Sequence, residues 1–246
     1  MRVMKSIYDQ RDVAPTLAKI LNVSYDVPSG KPIGINESFI SEKLIFAIID
    51  SLDWNIYEKF ARKIIKNCLN GSFREFKILS AAKITSPAIA TLLTGLNPEE
   101  HGVFSTADAE NSEILNLPEF AQTQGVNTTV VMEAGGANTF LRTLKSVRPV
   151  EDSENVDDFD EKILEGVRAS LSKFDFIVCH LRTVDEYLHQ GKSLKEVDKG
   201  LKKILQKIID MAQRGEYLLV LTGDHETHGE IAEGNELVPL VLIDFS

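Results

Sequence analysis

Two apolar patterns alternate along the chain. Short, nearly unbroken apolar runs at residues 43–50, 76–80, 128–132, 174–180, 217–222 and 238–243 have the length and composition of strands, most of them buried on both faces. Between them, apolar residues recur at helical spacing. Residues 56–69 carry Ile56, Phe60, Ile64 and Leu69 and close at Asn70-Gly71. Residues 194–213 carry Leu194, Val197, Leu201, Ile204, Leu205, Ile208 and Ile209 on one face. Further helices are expected at 117–123, 158–171 and, after Pro87, about 88–93, with Thr94-Gly95 as the stop. Strand and helix in alternation predict an α/β fold: a three-layer sandwich around a mostly parallel sheet. The acidic stretch 151–160 reads as a solvated surface loop.

Composition narrows the classes. With 246 residues, 43% hydrophobic and 26% charged, the chain can bury a substantial core, and the length favours a single domain over 1–246. The formal charge of −10 argues against binding a nucleic-acid backbone, and a small anionic substrate would need positive charge that metal ions can supply. The longest apolar stretches, 44–49 and 237–243, fall far short of the ~20 residues of a spanning helix. Residues 1–12 are polar and lack a secretory apolar core. Cys68 and Cys179 read as reduced thiols, so a cytoplasmic protein is expected. The expected partner is a small substrate, with neither nucleic acid nor membrane; a homo-oligomer stays open.

Three of the predicted strands lead into polar clusters, and in open α/β sheets ligands bind beyond the strand carboxyl ends. The first is Asp50. The second holds Asp185 and His189, four apart and therefore on one face of a helical turn. The third is Thr222-Gly223-Asp224-His225, with His228 three residues on. Four of the five histidines lie in or beside the last two clusters, and carboxylate with neutral imidazole suits zinc or manganese. Alone, each such residue would read as a helix cap or a satisfied polar side chain; together they read as a site. Thr85-Ser86-Pro87 places hydroxyls just before a helix, where unpaired amides favour an anion. Either hydroxyl could equally be a simple N-cap.

These segments together resemble the alkaline phosphatase superfamily, in particular its nucleotide pyrophosphatase/phosphodiesterase and cofactor-independent phosphoglycerate mutase branches. The matching blocks are Ile48-Ile49-Asp50-Ser51-Leu52, the stretch from Thr85-x-Pro87 to His101-Gly102, Val184-Asp185-x-x-x-His189, and Thr222-Gly223-Asp224-His225. The resemblance implies two divalent ions, zinc or alternatively manganese. Asp50, Thr85, Asp224 and His225 would hold one, with Thr85 as nucleophile, and Asp185 and His189 the other. The superfamily's further histidine before a Val-Pro-Leu strand is missing here; His228 is the nearest substitute, with Glu233 and Asn235 behind it. Thr106 stands near the place of a phosphate-binding Asn of the phosphodiesterases, and His101 reads as structural.

Residues 12–33 resemble a helix and Gly-Lys-Pro tail that this superfamily usually carries after its Val-Pro-Leu strand. The order therefore looks circularly permuted, with residues 1–40 equivalent to the usual C-terminal segment and expected beside strand 238–243. A first helix far from that strand would contradict this.

The function implied is hydrolysis of a phosphate monoester or diester through a Thr85 phosphoenzyme. The alternatives are a phosphomutase, disfavoured by the short chain, and a binding or regulatory protein that has lost one metal site. Specificity is expected from residues 106–117 and 133–138, or from a partner subunit; Gly135-Gly136 reads as a turn.

Overall fold

The computed structural model describes residues 6–69, 71–153, 155–227 and 235–245. Its strands are β1 (Ile7–Asp9), β2 (Leu44–Ile49), β3 (Ser72–Leu79), β4 (Thr128–Glu133), β5 (Val147–Val150), β6 (Phe176–Leu181), β7 (Leu218–Gly223) and β8 (Leu237–Asp244). Its α-helices are α1 (Val13–Ile20), α2 (Trp54–Ile56), α3 (Arg62–Cys68), α4 (Thr85–Thr94), α5 (Pro98–His101), α6 (Thr106–Asn111), α7 (Leu117–Thr123), α8 (Ala134–Asn138), α9 (Val156–Ser170), α10 (Thr183–His189) and α11 (Leu194–Gly215).

The strands form one sheet in the order β1-β3-β8-β7-β2-β6-β4-β5, and only β8 runs against the others. Unbroken apolar runs are needed because both faces are covered. On β2, Ile45, Ala47 and Ile49 enter a cluster with α9 and α11, through Val167, Leu201 and Ile208 among others. Leu44, Phe46 and Ile48 enter the opposite cluster with Leu17 of α1, Leu92 of α4 and Leu117 of α7. The three-layer architecture is the one expected, and the seven parallel strands open toward one shared edge.

Several details differ from the sequence expectation. The helix over 56–69 is α2, a π turn (Tyr57–Ala61) and α3. The irregular stretch buries Tyr57, whose hydroxyl donates to Glu75 at 2.8 Å. Asn70, its expected stop, lies outside the described residues. The strand foreseen at 76–80 is longer, because its start pairs with β8 along the whole of Ser72 to Leu79. Strands β1 and β5 were not expected: they are edge strands of three and four residues, and β5 contains Pro149. Asp12 does not cap α1 with its side chain; the cap is Asp9, which opens a short 3-10 turn ahead of it. Gly135-Gly136 lie in α8 rather than in a turn.

The stretch 151–160 is only partly a solvated loop. Helix α9 starts at Val156, and Asp160 is 1% exposed on its inner face.

The N-terminal segment belongs to the same core. Val13, Leu17, Ile20 and Phe39 share a buried cluster with Val238, Leu240 and Leu242 of β8. The segment also clasps the end of α4, where Ser29 and Gly30 donate their amides to Gly95 O at 3.0 and 3.2 Å. Gly95 has φ 72°, and a Cβ there would meet Pro28 at 2.4 Å, so a side chain would open this clasp. No helix among the described residues is long and apolar enough to cross a membrane.

Candidate active site at the strand ends

The shared edge collects the residues that the sequence singled out. Asp50 follows β2 directly, Asp224 and His225 follow β7, and Thr85 opens α4 after β3. The β2 and β7 ends approach closely: a Cβ on Gly223 would lie 2.0 Å from Leu52 O, so only glycine fits there. Ser51 takes a left-handed φ of 57° and turns its amide onto Asp224 Oδ1 at 2.9 Å. One strained residue thus ties the two carboxylate-bearing loops together.

Asp50, Asp224 and His225 are 4, 0 and 2% exposed. His225 Nε2 stands 3.2 Å from Asp50 Oδ1, 3.5 Å from Asp224 Oδ2 and 3.2 Å from Thr85 Oγ1. Burial, with Asp224 as a near like charge, drives the Asp50 carboxyl well above the usual range, and burial raises Asp224 too. His225 is raised as well, for a different reason. Burial would lower it, yet the two carboxylates outweigh burial and lift it to about 9. Two buried carboxyls thus share the nearby His225 imidazole as their positive partner.

His180 joins this set from β6. It sits beside Ile48 of β2 and faces the same side of the sheet, with Nε2 3.7 Å from Asp50 Oδ2. Burial pushes its imidazole down to about 3, so it is neutral. His180 Nε2, Asp50 Oδ1 and Asp224 Oδ2 are all buried without a well-formed hydrogen bond. Asp50, His180 and Asp224 each present a ligand atom within 4.8 Å of the others. Buried polar atoms left unpaired are costly, and a divalent cation would satisfy all three at once.

The N-terminus of α4 faces the same cavity. Its N-cap is Ile84, which offers no side-chain bond to the first turn. Neither Thr85 nor Ser86 acts as the cap, so the leading amides keep their anion-binding capacity. Ser86 Oγ instead pairs with Thr106 Oγ1 at 2.9 Å, and both line the cavity with Thr85 and Asp50.

Asp185 and His189 are brought together more loosely. They share α10, with His189 Nε2 3.4 Å from Asp185 Oδ2 and the His189 side chain 57% exposed. Ser51 Oγ donates to Asp185 Oδ1 at 2.7 Å, linking this pair to the first set. His228 and Glu233 lie outside the described residues. Asn235 is committed elsewhere: its amide nitrogens bond Asp53 and Asn55, and its side-chain oxygen accepts from Leu237 N.

His101, read from the sequence as structural, is buried at the cavity, with Nε2 3.1 Å from Thr91 Oγ1 and Nδ1 accepting from Val103 N. Three supporting residues were not foreseen. His180 is one. Asp160 is another, accepting from the backbone amides of Arg182 and Thr183 at 2.9 and 3.0 Å and from the Thr183 hydroxyl, so it fixes the start of α10. The third is Gln10, fully buried, which donates to Asp224 O at 2.6 Å and accepts from Ala81 N at 2.8 Å.

Residues 119–245 match the sequence profile of the Metalloenzyme superfamily. The chain belongs to that superfamily. It is 26% identical over 135 residues to the 2,3-bisphosphoglycerate-independent phosphoglycerate mutase of Saccharolobus islandicus strain L.S.2.15, a match covering 52% of this chain and 32% of the mutase. The chain therefore spans about a third of the length of the curated relatives it matches.

Among solved structures, a protein of the alkaline phosphatase superfamily from Vibrio parahaemolyticus superposes with a TM-score of 0.60 at 11% identity, over 83% of this chain and 60% of that one. Phosphonoacetate hydrolase from Sinorhizobium meliloti 1021 gives 0.57 at 13%, over 74% and 56%. Murine ectonucleotide pyrophosphatase/phosphodiesterase 5 gives 0.53 at 17%, over 74% and 57%. These likenesses establish the alkaline phosphatase-like fold of this metalloenzyme superfamily member. Membership of a metalloenzyme superfamily accords with the buried Asp50, His180 and Asp224 group as a place for a metal ion.

Proposed function

We propose that the protein is a metal-dependent phosphate-ester hydrolase with Thr85 as its nucleophile. The observation that carries this reading is the position of Thr85 Oγ1. It lies at the uncapped start of α4, 3.2 Å from His225 Nε2, beside buried carboxylate oxygens that make no well-formed hydrogen bond. Asp50, Asp224, His225 and the Thr85 hydroxyl would hold one divalent ion, with His180 next to Asp50. Asp185 and His189 would contribute to a second. Zinc suits this carboxylate and imidazole set, and manganese is the alternative. Such ions neutralise the phosphoryl oxygens and make the threonine hydroxyl easier to deprotonate.

The chain's own residues do the rest. The α4 amides and the Ser86 and Thr106 hydroxyls orient the phosphoryl group. Thr85 Oγ attacks phosphorus, the bond to the leaving oxygen breaks, and the alcohol departs with a proton. Water then cleaves phosphothreonine to inorganic phosphate and restores Thr85. We also read residues 1–246 as one alkaline phosphatase-like domain in permuted order, supported by Gln10 bridging Asp224 and Ala81 from the opposite end of the chain.

The test is release of 4-nitrophenol from its phosphate ester by zinc- or manganese-loaded protein. Thr85→Ala is expected to lose at least about a thousandfold in kcat. A folded, fully metallated Thr85→Ala protein as active as wild type would sink the assignment. A phosphomutase reading is favoured by the similarity to the Saccharolobus mutases. Interconversion of phosphoglycerates without release of inorganic phosphate would select it. Failure to bind metal at all would select the binding-protein reading.

A further inference from the structure

The cavity lined by Thr85 has a volume of about 280 Å3, and its lining includes the apolar side chains of Ile89, Leu93, Val103, Ile114, Met132 and Phe140. An apolar space of about 150 Å3 is enough for a benzene ring. The cavity therefore has the volume to admit a ring-sized leaving group.

Charge narrows the choice further. Among the described lining residues the one permanent cation is Arg182. It is already engaged by three carboxylates: Asp152 at 3.0 Å, Glu133 at 3.4 Å and Glu186 at 3.6 Å. Glu119 also lines the cavity, buried, with its carboxylate accepting from Asn116 N and the Thr143 hydroxyl. A second anionic group on the substrate would therefore meet carboxylates, with no unengaged cation among the described lining residues. Like charges brought together in a partly dehydrated site repel strongly. Ser112 Oγ accepts from Ile114 N at 3.3 Å and Thr139 Oγ1 donates to Gly136 O at 2.7 Å, so the first can still donate to an uncharged polar atom and the second still accept from one.

We propose that the site takes phosphate monoesters whose leaving group is an uncharged, largely apolar alcohol, aryl or alkyl, and rejects esters that carry a carboxylate or a further phosphate. This rests on the hydrolase reading above. Overall, the ester and one water become the free alcohol and inorganic phosphate, with Thr85 regenerated.

The test is a matched pair on the metal-loaded protein, phenyl phosphate against 4-carboxyphenyl phosphate. The carboxylated phenol is the intrinsically better leaving group, so a preference for phenyl phosphate comes from the protein. We expect phenyl phosphate to have at least about a tenfold higher kcat/KM. Glu133→Lys should narrow that ratio by at least about threefold, by adding a cation where a carboxylate now stands. Equal rates, or faster turnover of the carboxylated ester, would overturn the proposal while leaving the hydrolase reading intact. If neither ester is turned over, the hydrolase reading fails, and calorimetric binding of the same two compounds decides the pocket separately. Tighter binding of phenyl phosphate supports it, and equal or weaker binding overturns it.

Discussion

The two candidate metal-ligand sets use the same residue types in very different settings. Asp50, Asp224 and His225 stand at the ends of adjacent central strands, almost fully buried, with carboxylate oxygens that make no well-formed hydrogen bond. Asp185 and His189 stand on a seven-residue helix, and the His189 side chain is more than half exposed. Strands locked on both faces fix their terminal side chains in advance, so little ordering remains when an ion arrives. A short helix at the surface leaves that ordering to be done. Placement in the fold, more than donor chemistry, should set the order in which two ions bind.

The sharpest way to break this comparison is a calorimetric metal titration of single variants. Asp224→Asn should weaken the tighter site by at least about a thousandfold, since it removes a charged ligand from the buried set. His180→Ala should weaken the same site by about 10- to 100-fold, the range for a group that supports or supplements the ligands. Asp185→Asn should leave the tighter site within about threefold and affect only the weaker one. Loss of the tight site in Asp185→Asn, with the protein still folded, would show that the two sets are not separable.

A smaller effect concerns how α10 is held. Burial raises Asp160 to about 6, despite the bonds from Thr183 and Arg182. A carboxyl raised in the folded state stabilises the protein in its protonated form, fully below the unfolded value near 4, and that contribution is lost as pH rises through 6. Relative to Asp160→Asn, the wild type should lose about 2 kcal/mol of stability between pH 4 and 6. Denaturant unfolding of the metal-free proteins across that range is the measurement. A difference that stays flat or grows with pH would contradict the burial of an ionisable Asp160.

Most of the sheet was legible because its strands are buried on both faces and read as unbroken apolar runs. The edge strands β1 and β5 were not, being too short to leave a pattern. Asp50, Thr85, Asp224 and His225 were legible because each follows directly on such a run or opens the helix after one.

His180 was missed because it continues the run Phe176-Ile-Val-Cys-His-Leu, where a polar residue reads as the strand's end. Its signal was the alternation that puts it on the Phe176 and Val178 face, opposite Cys179. Asp160 had a signal too. It lies in the stripe Phe159, Ile163, Leu164 and Val167, an acid on the apolar side of a helix. Gln10 had none, since its partner Asp224 is 214 residues away and only the folded chain brings them together.

The central claim is that Thr85 carries the phosphoryl group during turnover. Acid quenching of the metal-loaded protein during steady hydrolysis of 4-nitrophenyl phosphate, followed by peptide mass spectrometry, reads this directly. The account predicts one phosphoryl group, located on Thr85 and absent from Thr85→Ala. Sustained turnover by a Thr85→Ala protein, or phosphorylation at a different residue, would contradict it.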